Sequence, residues 1–119
     1  MALHILVVDD DSTVLTVLVA MLETAGFTVT AADSGPAMRK ILTADKPAID
    51  AVVLDWQIPG EPPGQLALDA QSLRLPVVMI SGHIEAMQFA DEHHLQLLTK
   101  PFRMRELLSA ISAAIDSGK

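Results

Sequence analysis

The sequence predicts an α/β domain built on a parallel sheet, and three features carry that expectation. Five short apolar runs alternate with segments of helical character, the rhythm that βαβ units require. Three of the runs are apolar throughout and rich in Val and Ile, as strands covered on both faces are. The chain has 119 residues, 50% hydrophobic and 19% charged, enough to bury one core and too apolar for a disordered segment. A single domain spanning 1–119 is therefore expected, with helices on both faces of the sheet.

The elements follow in order. The first strand is Leu3–Val8, ended by Asp9-Asp10-Asp11. A helix over Ser12–Ala25 has an Asp/Ser/Thr start signal and stops at Gly26, a favoured residue just past a helix end. It is apolar on nearly every face. A sheet-facing stripe of Val14, Val17, Leu18 and Met21 would turn Leu15 and Val19 outward. The second strand is Phe27–Ala32, and the second helix, Ser34–Ala44, opens Ser-Gly-Pro and stops before Pro47. Ala51–Leu54 is the third strand, followed by the turn Pro59-Gly60-Glu61-Pro62-Pro63-Gly64 and a short helix, Gln65–Ser72. Val77–Ile80 forms the fourth strand and Ile84–His93 the helix after Ser81-Gly82. Leu95–Leu98 is the fifth strand. Arg103–Asp116 closes the fold as a helix, with Met104, Leu107, Leu108, Ile111 and Ile115 at helical spacing.

Composition removes several function classes. With no cysteine there is no disulfide scaffold and no thiolate metal site. A net charge of −7 argues against nucleic acid or an anionic membrane as the partner of this domain. The apolar start is too short for a secretory leader and no run approaches a membrane span, so a cytoplasmic location is expected. Only Phe27, Trp56, Phe89 and Phe102 are aromatic, which leaves an aliphatic core.

In an open parallel sheet, ligands bind beyond the carboxyl ends of the strands. Asp9, Asp10 and Asp11 follow the first strand, Asp55 the third, Ser81-Gly82 the fourth and Thr99-Lys100-Pro101 the fifth. Each has an ordinary explanation alone: a helix cap, a turn former, a strand end, a solvated amine. Their joint placement at one edge is the signal. Crowded carboxylates need a cation among them, and a carboxylate set suits Mg²⁺. A hydroxyl and an amine beside them suit the oxygens of a transferring phosphoryl group, and an Asp can act as its acceptor.

The segments Ile5-Leu6-Val7-Val8-Asp9-Asp10-Asp11, Val52-Val53-Leu54-Asp55-Trp56-Gln57-Ile58-Pro59, Val77-Val78-Met79-Ile80-Ser81-Gly82 and Leu98-Thr99-Lys100-Pro101-Phe102 resemble, together and in order, the receiver domain of two-component response regulators. The resemblance covers essentially the whole chain. It implies a flavodoxin-like (βα)5 three-layer sandwich with five parallel strands in the order 2-1-3-4-5. It implies that Asp55 accepts phosphate from the histidine of a histidine kinase or histidine phosphotransfer protein. Asp9 and Asp10 would hold Mg²⁺ (or Mn²⁺) with Asp55 and the backbone carbonyl of Gln57. Ser81 and Lys100 would contact the phosphoryl group, and the Lys100–Pro101 bond would be cis. Phosphorylation would switch the face formed by the fourth helix, fifth strand and fifth helix toward a downstream protein target or a phosphorylation-dependent dimer. In such a domain Leu15 and Val19 are candidates for docking the phosphodonor, and Asp11 is a helix cap. Such a protein is a switch, not an enzyme; it catalyses only its own phosphoryl uptake and loss. A receiver of this size uses all 119 residues, so output would pass through a partner or a longer chain.

The chain also departs from the family pattern. Gly64 comes one residue late after Pro62-Pro63, and the third and fourth helices are short. Leu97 replaces a customary aromatic, and His93-His94 replaces a Gly-Ala turn. Two rival readings remain: a receiver-like interaction module that is never phosphorylated, and a haloacid-dehalogenase-like phosphatase. In the second, Asp9-Asp10-Asp11-Ser12-Thr13 would supply the nucleophile Asp9 and the acid/base Asp11. That reading leaves Asp55 and Pro59 unexplained and lacks a closing acidic pair. Asp91-Glu92-His93-His94 reads as a solvated helix end rather than a metal site, because adjacent helical side chains point apart. Trp56, next to Asp55 in sequence, is expected to report on the pocket by fluorescence.

Overall fold

A computed structural model describes residues 2–117. Its elements are β1 (His4–Val8), α1 (Ser12–Thr24), β2 (Thr28–Ala32), α2 (Gly35–Thr43), β3 (Ala51–Asp55), α3 (Gln65–Ser72), β4 (Val77–Ser81), α4 (Ile84–His93), β5 (Gln96–Thr99) and α5 (Met104–Ser117). All strand pairs are parallel, in the order β2-β1-β3-β4-β5. This is the expected flavodoxin-like topology.

Strand alternation divides the core in two. On one face Leu6, Val8, Val52, Leu54, Trp56 and Met79 meet Met38 of α2, Leu66 and Ala70 of α3, and Ala86 and Ala90 of α4. On the other, Ile5, Val7, Val53, Val78 and Ile80 meet Leu18 and Leu22 of α1 and Leu107 and Ile111 of α5. Each central strand feeds both clusters, which is why these runs show no polar alternation.

Most boundaries differ from expectation by a single residue, and those at the strand ends matter. Asp55 and Ser81 are the last residues of β3 and β4; Asp55 pairs with Ile80 and Ser81 with Thr99. The apolar run stops one residue before the ladder does, because the final side chain of each strand faces the open edge of the sheet. The stripe expected on α1 is also corrected. Val17 is 53% exposed, whereas Leu18 and Leu22 are buried and Val14, Leu15 and Met21 pack partly against the same core. An all-apolar helix carries little phase information, and the observed stripe turns Leu15 partly inward.

Two turns explain the altered loops. Gly64 precedes α3 with φ +83°, and a side chain there would collide with the rings of Phe89 and Trp56. His94 closes α4 in the left-handed conformation, φ 57° and ψ 43°, and takes the place of the usual glycine. His93 instead lies against the ring of Phe89. The Lys100–Pro101 bond is cis, as is Lys46–Pro47. Among the described residues no helix is long and apolar enough to cross a membrane.

Gly64→Ala combines left-handed strain with the ring collision. It is expected to destabilise the fold by about 2 kcal/mol or more, a fall in melting temperature of roughly 10 °C. A thermal unfolding midpoint within a degree or two of wild type would contradict the tight packing at this turn.

Candidate functional site

The carboxyl edge of the sheet gathers the polar residues. Asp9 leaves β1 with its amide donating to Ala32 of β2 (3.2 Å), and its Oδ1 accepts from the Asp11 amide at 2.9 Å. Asp11 itself caps α1, accepting from the amides of Thr13 (2.9 Å) and Val14 (3.2 Å). Its carboxylate is therefore turned to the helix end. One carboxylate oxygen each from Asp9, Asp10 and Asp55 lie within 4.8 Å of one another. Asp9 is 2% exposed, and the Asp55 side chain 16%.

Lys100, just past β5, brings its Nζ to 3.6 Å from Asp55 Oδ1. Its backbone amide donates to Ser81 O (3.1 Å), which ties the lysine to the end of β4. Ser81 is 3% exposed, and its Oγ accepts from the His83 amide at 2.9 Å. The hydroxyl proton is not used in that bond. Asp55, Gln57, Ser81, Gly82, His83 and Lys100 line one cleft of about 320 Å³. Asp10, Asp55 and Gln57 also line a second, of about 420 Å³, walled by Pro59, Glu61 and Pro63. Asp55 and Gln57 stand between the two.

The electrostatics follow from burial and crowding. Burial pushes the Asp55 carboxyl above its usual range; Lys100 pulls it back, while Asp9 and Asp10 push it further up. Asp9 is also raised by burial, against the Asp11 amide and Lys100. Three hard oxygen donors with an open, water-accessible side fit Mg²⁺, which keeps part of its hydration shell and is held by a few carboxylates. Among the described residues no other group of His, Cys, Asp and Glu meets the same closeness.

Asp9, Asp10, Asp55, Gln57, Ser81 and Lys100 are thus brought together. Leu15 and Val19 are not part of this cluster; with Thr16, Ala20, Glu23 and Ala31 they line a shallow groove between α1 and β2. Trp56 adjoins Asp55 in sequence, but its ring does not line the pocket. Alternation turns its ring to the opposite face from Asp55, where it meets Phe89 edge-on, with centroids 5.1 Å apart. Two residues escaped the sequence reading. His83 could have been noticed two positions after Ser81. Glu61 could not, since its place beside the pocket depends on a partner in α2.

An open parallel sheet with a cation-compatible acid cluster, a hydroxyl and an amine at its carboxyl edge defines a flavodoxin-like protein. The response regulator receiver domain family matches residues 5–112, and the chain belongs to that family. It is 29% identical over 118 residues to the transcriptional regulatory protein GlrR of Escherichia coli, covering 95% of this chain and 26% of that protein. It is 32% identical over 127 residues to the phosphate regulon transcriptional regulatory protein PhoB of Klebsiella pneumoniae, covering 97% and 52%. The chain thus spans from about a quarter to about half the length of these relatives. Among solved structures, a response regulator receiver protein from Sinorhizobium medicae superposes with a TM-score of 0.85 at 34% identity, over 99% of this chain and 98% of that one. A receiver domain protein from Clostridium thermocellum gives a TM-score of 0.86 at 28% identity, over 97% and 95%.

The raised carboxyls have a consequence for stability. A carboxyl that is harder to ionise in the folded state favours folding at acid pH. That advantage is lost as pH rises from the unfolded to the folded value, so above this range stability is lower by a constant amount than below it. Asp55→Asn removes one such group. Without divalent metal, the variant is expected to melt above wild type at pH 7, and the gap should close near pH 4. Melting curves in a chelator across that range check it; a variant less stable at pH 7 would mean that the pull of Lys100 outweighs burial and repulsion.

Proposed function

We propose that the chain acts as one receiver domain that accepts a phosphoryl group on Asp55 from a phosphohistidine. The observation that carries this reading is the Asp55 carboxylate itself, held at 3.6 Å from Lys100 in the same cleft as the Ser81 hydroxyl and beside Asp9 and Asp10. Asp9, Asp10, Asp55 and the backbone carbonyl of Gln57 would hold Mg²⁺, or Mn²⁺ in its place, which supplies positive charge that the crowded acids and the phosphoryl oxygens lack.

Asp55 Oδ attacks phosphorus, a P–O bond forms, and the P–N bond to the donor histidine breaks with its electron pair returning to the imidazole. Lys100 first holds the carboxylate in place and then pairs with a phosphoryl oxygen. The Ser81 hydroxyl donates its free proton to another. Drawing Ser81 inward shifts its loop and biases the face formed by α4, β5 and α5, which offers its surface to a downstream protein or a second copy. The groove at Leu15 and Val19 receives the donor protein. Asp11 works as the α1 cap in this reading, which counts against the phosphatase alternative, where it would be the acid/base.

Incubation with Mg²⁺ and a small phosphodonor such as acetyl phosphate is expected to add one phosphate to Asp55, seen by mass spectrometry, and none to Asp55→Asn. Phosphate on Asp9 would favour the phosphatase reading; no uptake from any donor would leave a receiver-like interaction module. Leu15 packs partly on the core, so Val19→Asp is the cleaner test of docking. It is expected to slow transfer from a protein phosphodonor about tenfold, ~1.4 kcal/mol, with uptake from acetyl phosphate unchanged. Equal loss from both donors would sink the docking role.

A further inference from the structure

The loop after β3 carries Gln57 at one end and Gly64 at the other, and a side-chain contact from α2 holds its middle. Arg39 presents its guanidinium fork to Glu61, with Nη1 donating to Oε2 at 3.0 Å and Nη2 to Oε1 at 2.6 Å. The same Nη2 donates to Asp69 Oδ2 of α3 at 3.1 Å, and Gln65 Nε2 donates to Asp69 Oδ1 at 2.9 Å. One arginine thus ties together α2, the loop and α3. The Glu61 side chain is 11% exposed. Space for its carboxylate is reserved at the start of α2, where a Cβ on Gly35 would collide with the Glu61 carboxylate and its Cγ. The loop amide of Glu61 donates to Ile58 O (3.1 Å), so the ion pair and the turn fix one another.

Stability alone gives this arrangement little purpose. Arg39 is 44% exposed, so water screens the pair from that side and limits what it adds to folding, although a bidentate fork imposes a definite geometry. Glu61 walls the cleft shared by Asp10, Asp55 and Gln57, and lies four residues from the carbonyl assigned to the metal.

We propose that Arg39 and Glu61 are a positioning pair for the divalent-cation site, fixing the loop from Gln57 to Gly64 so that its backbone carbonyl is already in place when the cation arrives. Neither residue touches the cation. The inference rests on the receiver reading of the pocket. It goes beyond that reading by assigning part of the metal affinity to residues outside the acid cluster.

Three single variants test it: Arg39→Ala, Glu61→Gln and Gly35→Ala. The last is informative because alanine suits a helix better than glycine, so it displaces the Glu61 carboxylate without weakening α2. Mg²⁺ is titrated into each by calorimetry, and amide hydrogen exchange at 57–64 is followed in metal-free protein. Each variant is expected to weaken Mg²⁺ binding about tenfold, the lower end of outer-shell effects. The double variant Arg39→Ala/Glu61→Gln should be no weaker than either single one, and the Glu61 amide should exchange faster in all of them. Mg²⁺ affinity within twofold of wild type in the folded variants would overturn the proposal, even if their melting temperatures fall. A wild-type protein that binds no Mg²⁺ would overturn the metal reading and with it the pair's role in affinity. The exchange rates would then show separately whether the pair holds the loop.

Discussion

Three carboxylates converge on one edge of an aliphatic sheet, and their burial, added to their mutual repulsion, is the constraint around which the structure is arranged. Among the described residues, nothing in the core compensates for it. Lys100 is the cation paired with Asp55, and a 3.6 Å pair cannot balance Asp9, Asp10 and Asp55 together. The strands supply the force that keeps them near. β1 and β3 are adjacent central strands, paired from Ile5 with Ala51 to Val8 with Leu54, and buried on both faces. Separating the acids would mean breaking that pairing and exposing Val7, Val8, Val53 and Leu54. The aliphatic core therefore holds the pocket in a state that favours any added positive charge.

The same constraint explains which parts of the molecule were legible in its sequence. The central strands are doubly covered, so their apolar runs mark them directly. The acids end those runs because only the strand ends meet water. The joint pattern of Asp9, Asp10, Asp55, Ser81 and Lys100 follows from topology alone once the strands are placed. Phase on α1 was not legible, since Val14, Leu15, Val17, Leu18 and Val19 are equally apolar and only packing selects Leu18 and Leu22 for the core. The orientation of Trp56 was legible: neighbours on a strand face opposite ways, so adjacency to Asp55 places its ring on the other face of the sheet. The Arg39–Glu61 pair spans 22 positions and belongs to no local pattern.

The departures from the family pattern gather on the face away from α1 and α5. Leu97 packs partly against the cluster of Trp56, Leu54 and Met79, where a customary aromatic is absent. Trp56 and Phe89 stack edge-on nearby, and His93 lies against Phe89 at 4.4 Å. Gly64 is required in that stack by the closeness of both rings. The late glycine and the short α3 are thus parts of one packing solution. The prolines lengthen the turn, and the glycine lets its end settle onto two rings.

In the proposed receiver reading, that solution bears on how a signal would leave the pocket. Asp55 and Trp56 are consecutive, but one side chain faces the acids and the other the α3 and α4 layer, so a change at the first moves the backbone of the second. Ser81 gives a further link: its Oγ bonds the His83 amide just before α4, and its carbonyl bonds the Lys100 amide just after β5. In the proposed receiver reading, a charge that draws the Ser81 hydroxyl toward Asp55 would pull on the His83 amide bonded to its Oγ, and so on the start of α4, while Lys100 would turn from the carboxylate to the new oxygens. With Leu97 in it, β5 carries no aromatic side chain that could report such a movement. Both links lead to α4, where Trp56 meets Phe89 in the middle of the helix, Ser81 reaches His83 at its start, and Ile84 and Met87 are exposed.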